Sequence, residues 1–180
     1  MTFPVLFLIG PRGCGKSTVG RLLAARLPGW SWIDADEELE RRAGRPVREV
    51  FAEEGEAGFR ERESAILAEL AGGERLVVSA GGGVVLRADN RALLRRGRTV
   101  YLQADAATLR RRLAADPATA DRRPTLTAGA ASALDEIEEV LRRRAPLYEG
   151  CADLAVGSAG MTPEEVVAAI LAALVGWSGG

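Results

Sequence analysis

The sequence predicts an α/β domain in which five parallel strands form a sheet with helices on both faces. Three observations carry this. Short apolar runs of strand length alternate with longer stretches of helical periodicity, the pattern that a parallel sheet with crossover helices requires. The first run, residues 3–9, is apolar throughout, as a strand covered on both faces must be. Between it and the first helical stretch lies Gly10-Pro11-Arg12-Gly13-Cys14-Gly15-Lys16-Ser17-Thr18, a glycine-rich connection from strand to helix.

Each element has its own local signal. Residues 3–9 read as a buried strand. Over 16–27, Val19, Leu22, Leu23 and Leu27 fall at helical spacing, and Pro28-Gly29 stops the helix. Residues 30–33 form the second strand and run into Asp34-Ala35-Asp36. Helices follow over 36–43 and 46–72, broken around Gly44-Arg45-Pro46 and at Gly55. The third strand, 76–80, ends at Gly81-Gly82-Gly83. A helix over 89–96 leads to a strand over 98–103, and a helix over 105–115 leads to a Pro-, Thr-, Ala- and Gly-rich stretch over 116–130. That stretch carries Arg122-Arg123-Pro124 and is long for a connection, so it is expected to be a lid. A helix over about 132–145 and a fifth strand over 153–156 come next. The last helix opens at Thr162-Pro163-Glu164-Glu165, with an N-cap and a proline at the first helical position. With no internal repeat and no interdomain linker, residues 1–180 are expected to form one domain.

Composition narrows the chemistry. A net charge of −1 offers no basic field for nucleic acid. The longest apolar run, 166–175, is too short to span a bilayer. No basic region precedes residues 3–9, so a secretory signal is not expected. Two cysteines far apart make no disulfide framework, and a cytoplasmic monomer is the expectation. The chain has no histidine. That removes Ser-His-Asp and Cys-His catalysis and the usual zinc sites. Any general base must be Asp or Glu, and any metal should be a hard cation such as Mg²⁺ on oxygen ligands.

Among 24 basic residues Lys16 is the only lysine. It completes G-x-x-x-x-G-K-S, a P-loop, whose backbone N–H groups wrap phosphate oxygens while a compact ammonium reaches the terminal phosphates. An arginine's planar fork is no substitute for that point charge. Gly13, Cys14, Gly15, Lys16, Ser17 and Thr18 are therefore expected to bind the nucleotide, with the Ser17 hydroxyl on Mg²⁺ and the helix dipole behind it. Cys14, at a helix N-terminus, reads either as an activated thiol or as an inert small residue in a tight turn. The N-K-x-D signature of guanine readers needs a second lysine, which leaves a kinase or an ATPase.

An acceptor must then be bound. Asp34 and Asp36 end the second strand at the ligand edge of an open sheet, where period-2 geometry would aim both at the phosphates. The same acids could instead cap a helix. Phe59-Arg60 lies in a helix with Glu61 and Glu63 beside it, where an exposed ion pair is the plainer reading. Gly81-Gly82-Gly83 lets a ligand approach backbone N–H groups. Arg142-Arg143-Arg144 would be a solvated face, but Ala145-Pro146-Leu147-Tyr148 follows directly.

Together, G-P-R-G-C-G-K-S-T, D-A-D, G-F-R, G-G-G, the lid R-P and R-A-P-L-Y resemble shikimate kinase, in the family's order from residue 5 to about 170. The resemblance implies the P-loop kinase three-layer fold and transfer of phosphate from ATP to the 3-hydroxyl of shikimate, in aromatic amino acid biosynthesis. It implies that Asp36, Arg60, Gly82 and Arg144 hold shikimate, that Arg123 contacts the nucleotide phosphates, and that Asp34 lies near Mg²⁺. It assigns the adenine-stacking arginine to Arg112, with Arg110 and Arg111 as alternatives. The lid departs from the family's R-P-L-L at Thr125, and 157–162 lacks an arginine that some members carry. Two rivals differ in class: another small-molecule P-loop kinase, such as a gluconate or nucleoside kinase, and a non-catalytic nucleotide-binding domain.

Overall fold

A computed structural model of the chain describes residues 3–115 and 133–177; the expected lid over 116–130, with Arg123, lies outside the described residues. Five parallel strands form one sheet: β1 (Val5–Ile9), β2 (Ser31–Asp34), β3 (Leu76–Ser79), β4 (Arg98–Gln103) and β5 (Leu154–Gly157), in the order β2-β3-β1-β4-β5. All five residues of β1 are fully buried. Strand geometry sends alternate side chains to opposite faces. Val5, Phe7 and Ile9 accordingly join one apolar layer with Leu39, Val50, Phe59, Ile66, Leu94 and Tyr148. Leu6 and Leu8 join the other, with Val19, Leu23, Leu109, Val166 and Ile170. This is the expected α/β fold with helices on both faces.

The helices are α1 (Lys16–Arg26), α2 (Ala35–Ala43), α3 (Val47–Leu70), α4 (Ala88–Leu94), α5 (Ala106–Ala115), α6 (Ala133–Glu149) and α7 (Pro163–Trp177), with a 3₁₀ turn at Val84–Leu86 that the sequence reading did not anticipate. α3 is interrupted at Gly55 as expected, with φ 70° and ψ −177° there. The α7 cap is a reciprocal box: Glu165 N–H donates to the Thr162 hydroxyl at 3.3 Å, and Thr162 N–H to the Glu165 carboxylate at 2.7 Å.

Two expectations fail at helix ends. The helix expected to stop near 145 continues through Pro146 to Glu149. Proline inside a helix costs about 3 kcal/mol, but here it falls in the last turn, and the two residues beyond it are drawn inward. Tyr148 is fully buried and stacks on Tyr101 at 5.0 Å, and burying such a ring contributes roughly 1.5–3 kcal/mol. The second is the strand alternation offered for Asp34 and Asp36: α2 begins at Ala35, one residue before the expected start and directly after β2. Asp34 is its N-cap, so Asp36 sits in the first helical turn and not one pleat further along a strand.

Parallel register aligns the strand ends that matter. Asp34 pairs with Ser79, and Ser79 with Leu8, so the loops after β1, β2 and β3 open at one edge of the sheet.

Candidate active site

The loop after β1 wraps tightly because two of its glycines have no substitute. A Cβ on Gly10, at φ +142°, would stand 2.7 Å from the Leu102 carbonyl oxygen, and Gly15 caps α1 at φ +100°. Helix α1 receives no side-chain cap and has no acid in its first turn. Its first N–H groups and positive dipole end are thus left to an anion. α2 is the opposite case: Asp34 caps it and Asp36, Glu37 and Glu38 fill its first turn. Lys16 folds over the loop, its Nζ donating to the carbonyls of Gly10 and Pro11, both at 2.9 Å.

A cleft of about 570 Å³ opens on this loop, and its wall includes Gly13, Gly15, Lys16, Ser17, Thr18, Asp34, Asp36, Gly82 and Arg112. The reason given for pairing Asp34 with Asp36 was wrong, since the chain turns helical between them, yet both reach the same cavity. Asp34 does two things there. Its Oδ1 accepts from Asp36 N–H at 3.0 Å and its Oδ2 accepts from the Ser17 hydroxyl at 2.6 Å. Of the two readings of Cys14, its 1% exposure and its place in the apolar layer with Leu8 and Leu23 fit an inert residue, while the Lys16 ammonium 3.7 Å from its Sγ fits an activated thiol.

The acceptor candidates meet on one turn. Arg144 Nη1 donates to the Gly82 carbonyl at 3.2 Å, and the Tyr148 hydroxyl donates to the same oxygen at 2.5 Å. Burial pushes the Tyr148 phenol well above its ordinary value, so the O–H stays a donor. Arg60 lies against the next residue, where a Cβ on Gly83 would stand 2.2 Å from its Nη1. A Cβ on Gly82 would meet nothing nearer than 3.6 Å, so of these two it is Gly83 whose missing side chain makes room. The exposed ion pair considered for Arg60 is instead buried: Arg60 is 7% and Glu63 4% exposed, joined at 2.8 Å, with Glu56 at 3.3 Å as a second partner. Neither Arg60 nor Arg144 lines the cleft wall directly; Arg144 bears on Gly82, which does, and Arg60 on the adjacent Gly83.

Two of the three arginines at 110–112 on α5 differ in their contacts. Arg110 pairs with Glu138 of α6 at 2.7 Å. Arg112 faces the P-loop, donating to the Cys14 carbonyl at 3.1 Å and to the Ser158 carbonyl and hydroxyl at 2.7 and 3.1 Å. Ser158 was invisible to sequence reasoning, as was Ser79. The Ser79 hydroxyl donates to the Lys16 carbonyl and accepts from Trp32 Nε1, both at 3.0 Å. Gly20 permits this, because a Cβ there would stand 2.4 Å from Trp32 Nε1.

Among the described residues no group of three or more His, Cys, Asp or Glu could hold a metal. What stands beside the P-loop is one hydroxyl and one carboxylate oxygen in contact. That donor set fits Mg²⁺, which takes one or two protein oxygens and fills its octahedron with water and phosphate.

A family model for shikimate kinase matches residues 12–175. A shikimate kinase of Rhodopirellula baltica is 43% identical over 169 residues, covering 93% of this chain and 89% of that protein. The structure of a shikimate kinase from Acinetobacter baumannii in complex with shikimate superposes with a TM-score of 0.88 at 35% identity, over 97% of this chain and 94% of that one. A gluconokinase from Sinorhizobium meliloti reaches a TM-score of 0.58 at 20% identity over the whole of both chains, a likeness of fold alone.

Proposed function

The chain belongs to the shikimate kinase family and phosphorylates shikimate with ATP; we propose that it does so at the 3-hydroxyl, with one set of residues for each substrate. The observation that supports this division is the convergence of Arg60 and Arg144, from two different helices, on the glycine turn beside the P-loop cleft. Shikimate is a small carboxylate with three hydroxyls. A carboxylate suits two guanidinium groups by charge-assisted, bidentate hydrogen bonds. Asp36, in the cleft wall, accepts from a hydroxyl and orients the nucleophilic oxygen. The Gly82 backbone completes this set.

On the donor side, the N–H groups of Gly13 to Thr18 surround the β- and γ-phosphates, and Lys16 neutralises charge that develops on them. Mg²⁺, held by Ser17 with Asp34 nearby, would supply further charge neutralisation on the phosphate oxygens. Arg112 stacks on the adenine and is held in place for it by Ser158. The family resemblance gives Arg123 a place on the nucleotide phosphates. Phosphoryl transfer needs little covalent chemistry from the protein, so positioning and charge carry the rate. The proposal treats the chain as one domain, a monomer in the cytoplasm, acting on small molecules and not on nucleic acid or a membrane. No helix among the described residues is long and apolar enough to cross one.

Titrating each substrate separately tests the division. Arg60→Ala and Arg144→Ala should each weaken shikimate binding by about 1.5–3 kcal/mol, roughly 10- to 100-fold, and leave ATP affinity close to wild type. Lost ATP binding with shikimate binding intact would reverse the assignment of these arginines.

A further inference from the structure

Helix α3 is broken at Gly55, so its backbone ladder does not fix the angle between the half over 47–54 and the half over 56–70. Side chains must fix it. On the inner side Phe51 stacks on Phe59, with ring centroids 4.4 Å apart. On the outer side Glu54, the last residue before the break, folds across it. Its Oε2 accepts from Arg62 Nε at 2.6 Å and its Oε1 from Arg62 Nη2 at 2.9 Å. The same Oε1 accepts from Arg45 Nη2 at 2.5 Å, out of the turn that precedes α3. Gly58 keeps the path clear, because a Cβ there would stand 2.6 Å from the Glu54 Cβ.

The two halves carry different parts of the site. Glu40 of α2 accepts the Val47 N–H at 3.0 Å, which couples the first half to the helix that bears Asp36. Arg60 is tied to Glu56 and Glu63, all three on the second half. We propose that Glu54 is a positioning residue for the acceptor: its clasp on Arg62 and Arg45 sets the angle of α3 at Gly55 and so the spacing between Asp36 and Arg60. The inference rests on the reading of those two residues as shikimate ligands. An isolated exposed ion pair contributes little. This one is bidentate on Arg62, shared with a third charge and only 23% exposed at Glu54. It also spans a point where the backbone supplies no other restraint.

Steady-state kinetics of Glu54→Gln, Arg62→Gln and the double variant test this. Each single variant should raise the shikimate KM about two- to five-fold, with kcat and the ATP KM within error of wild type. The double variant should add nothing further, because both changes open one clasp. Added salt should raise the wild-type shikimate KM more steeply than that of Glu54→Gln, which keeps only the salt dependence of the arginine–carboxylate contacts. A purely structural clasp would lower the melting temperature and leave the shikimate KM unchanged, which would overturn the inference. Arg60→Ala serves as the control. If it raises the shikimate KM and Glu54→Gln does not, the clasp alone is wrong. If Arg60→Ala leaves that KM unmoved, the reading of Arg60 itself fails.

Discussion

Lys16→Arg should lose on the order of 10³-fold or more in turnover, although it restores the basic residue this chain uses everywhere else. The reason is geometric. The ammonium fits within the loop, 2.9 Å from each of two loop carbonyls, and the loop turns through Gly10 and Gly15 at φ +142° and +100°. A planar guanidinium is wider, spreads its charge over three nitrogens and cannot occupy that space as a point charge. The loss should appear in kcat at saturating ATP and shikimate, in a protein whose circular dichroism and melting temperature match wild type. Near-wild-type turnover in that folded variant would contradict the assignment of Lys16 to the transferring phosphate.

Asp36→Asn should cost about 10²–10⁴-fold in kcat. Asparagine keeps the shape and a hydrogen-bonding oxygen, but it removes the carboxylate that accepts or orients the proton of the attacking hydroxyl. Asp36 lies in the first turn of α2, where an acid is also favoured by the dipole. Loss of that contribution amounts to about 0.3–1 kcal/mol of stability, so a folded variant should be recoverable. ATP binding should be unaffected, since the contacts made by Lys16, Ser17 and Asp34 stay in place. If Asp36→Asn turns over at the wild-type rate, the acceptor base lies elsewhere.

Where the signal was local, the sequence was readable. The strands announced themselves as apolar runs, the P-loop as a spacing of glycines before Lys16, and the start of α7 as an N-cap at Thr162 followed by Pro163. The errors arose where long-range contacts overrode local preference. The helix read as ending near 145, just before Pro146, but burial of Tyr148 against Tyr101 carries it on to Glu149. Strand alternation was one reading of D-A-D and a helix cap the other, and the cap is what forms, with Asp34 as N-cap and Asp36 in the first turn. The three arginines at 110–112 could not be separated by type. Successive helical residues turn by about 100°, so Arg110 and Arg112 leave α5 on opposite sides, toward Glu138 and toward the P-loop. Ser79, Trp32 and Gly20 gave no signal because their contact joins three elements distant in the chain. Gly83 was legible as part of a triplet, while its steric purpose needed the position of Arg60.

The most direct measurement combines turnover with product identity. Purified protein is mixed with ATP and Mg²⁺, and ADP release is followed with shikimate, with gluconate and with no acceptor, while phosphorus–proton NMR locates the new phosphate ester. The expected result is ADP release that depends on shikimate and matches, mole for mole, a single ester at the 3-hydroxyl. ADP release that is the same without shikimate, faster with gluconate, or accompanied by an ester at another hydroxyl would contradict the account.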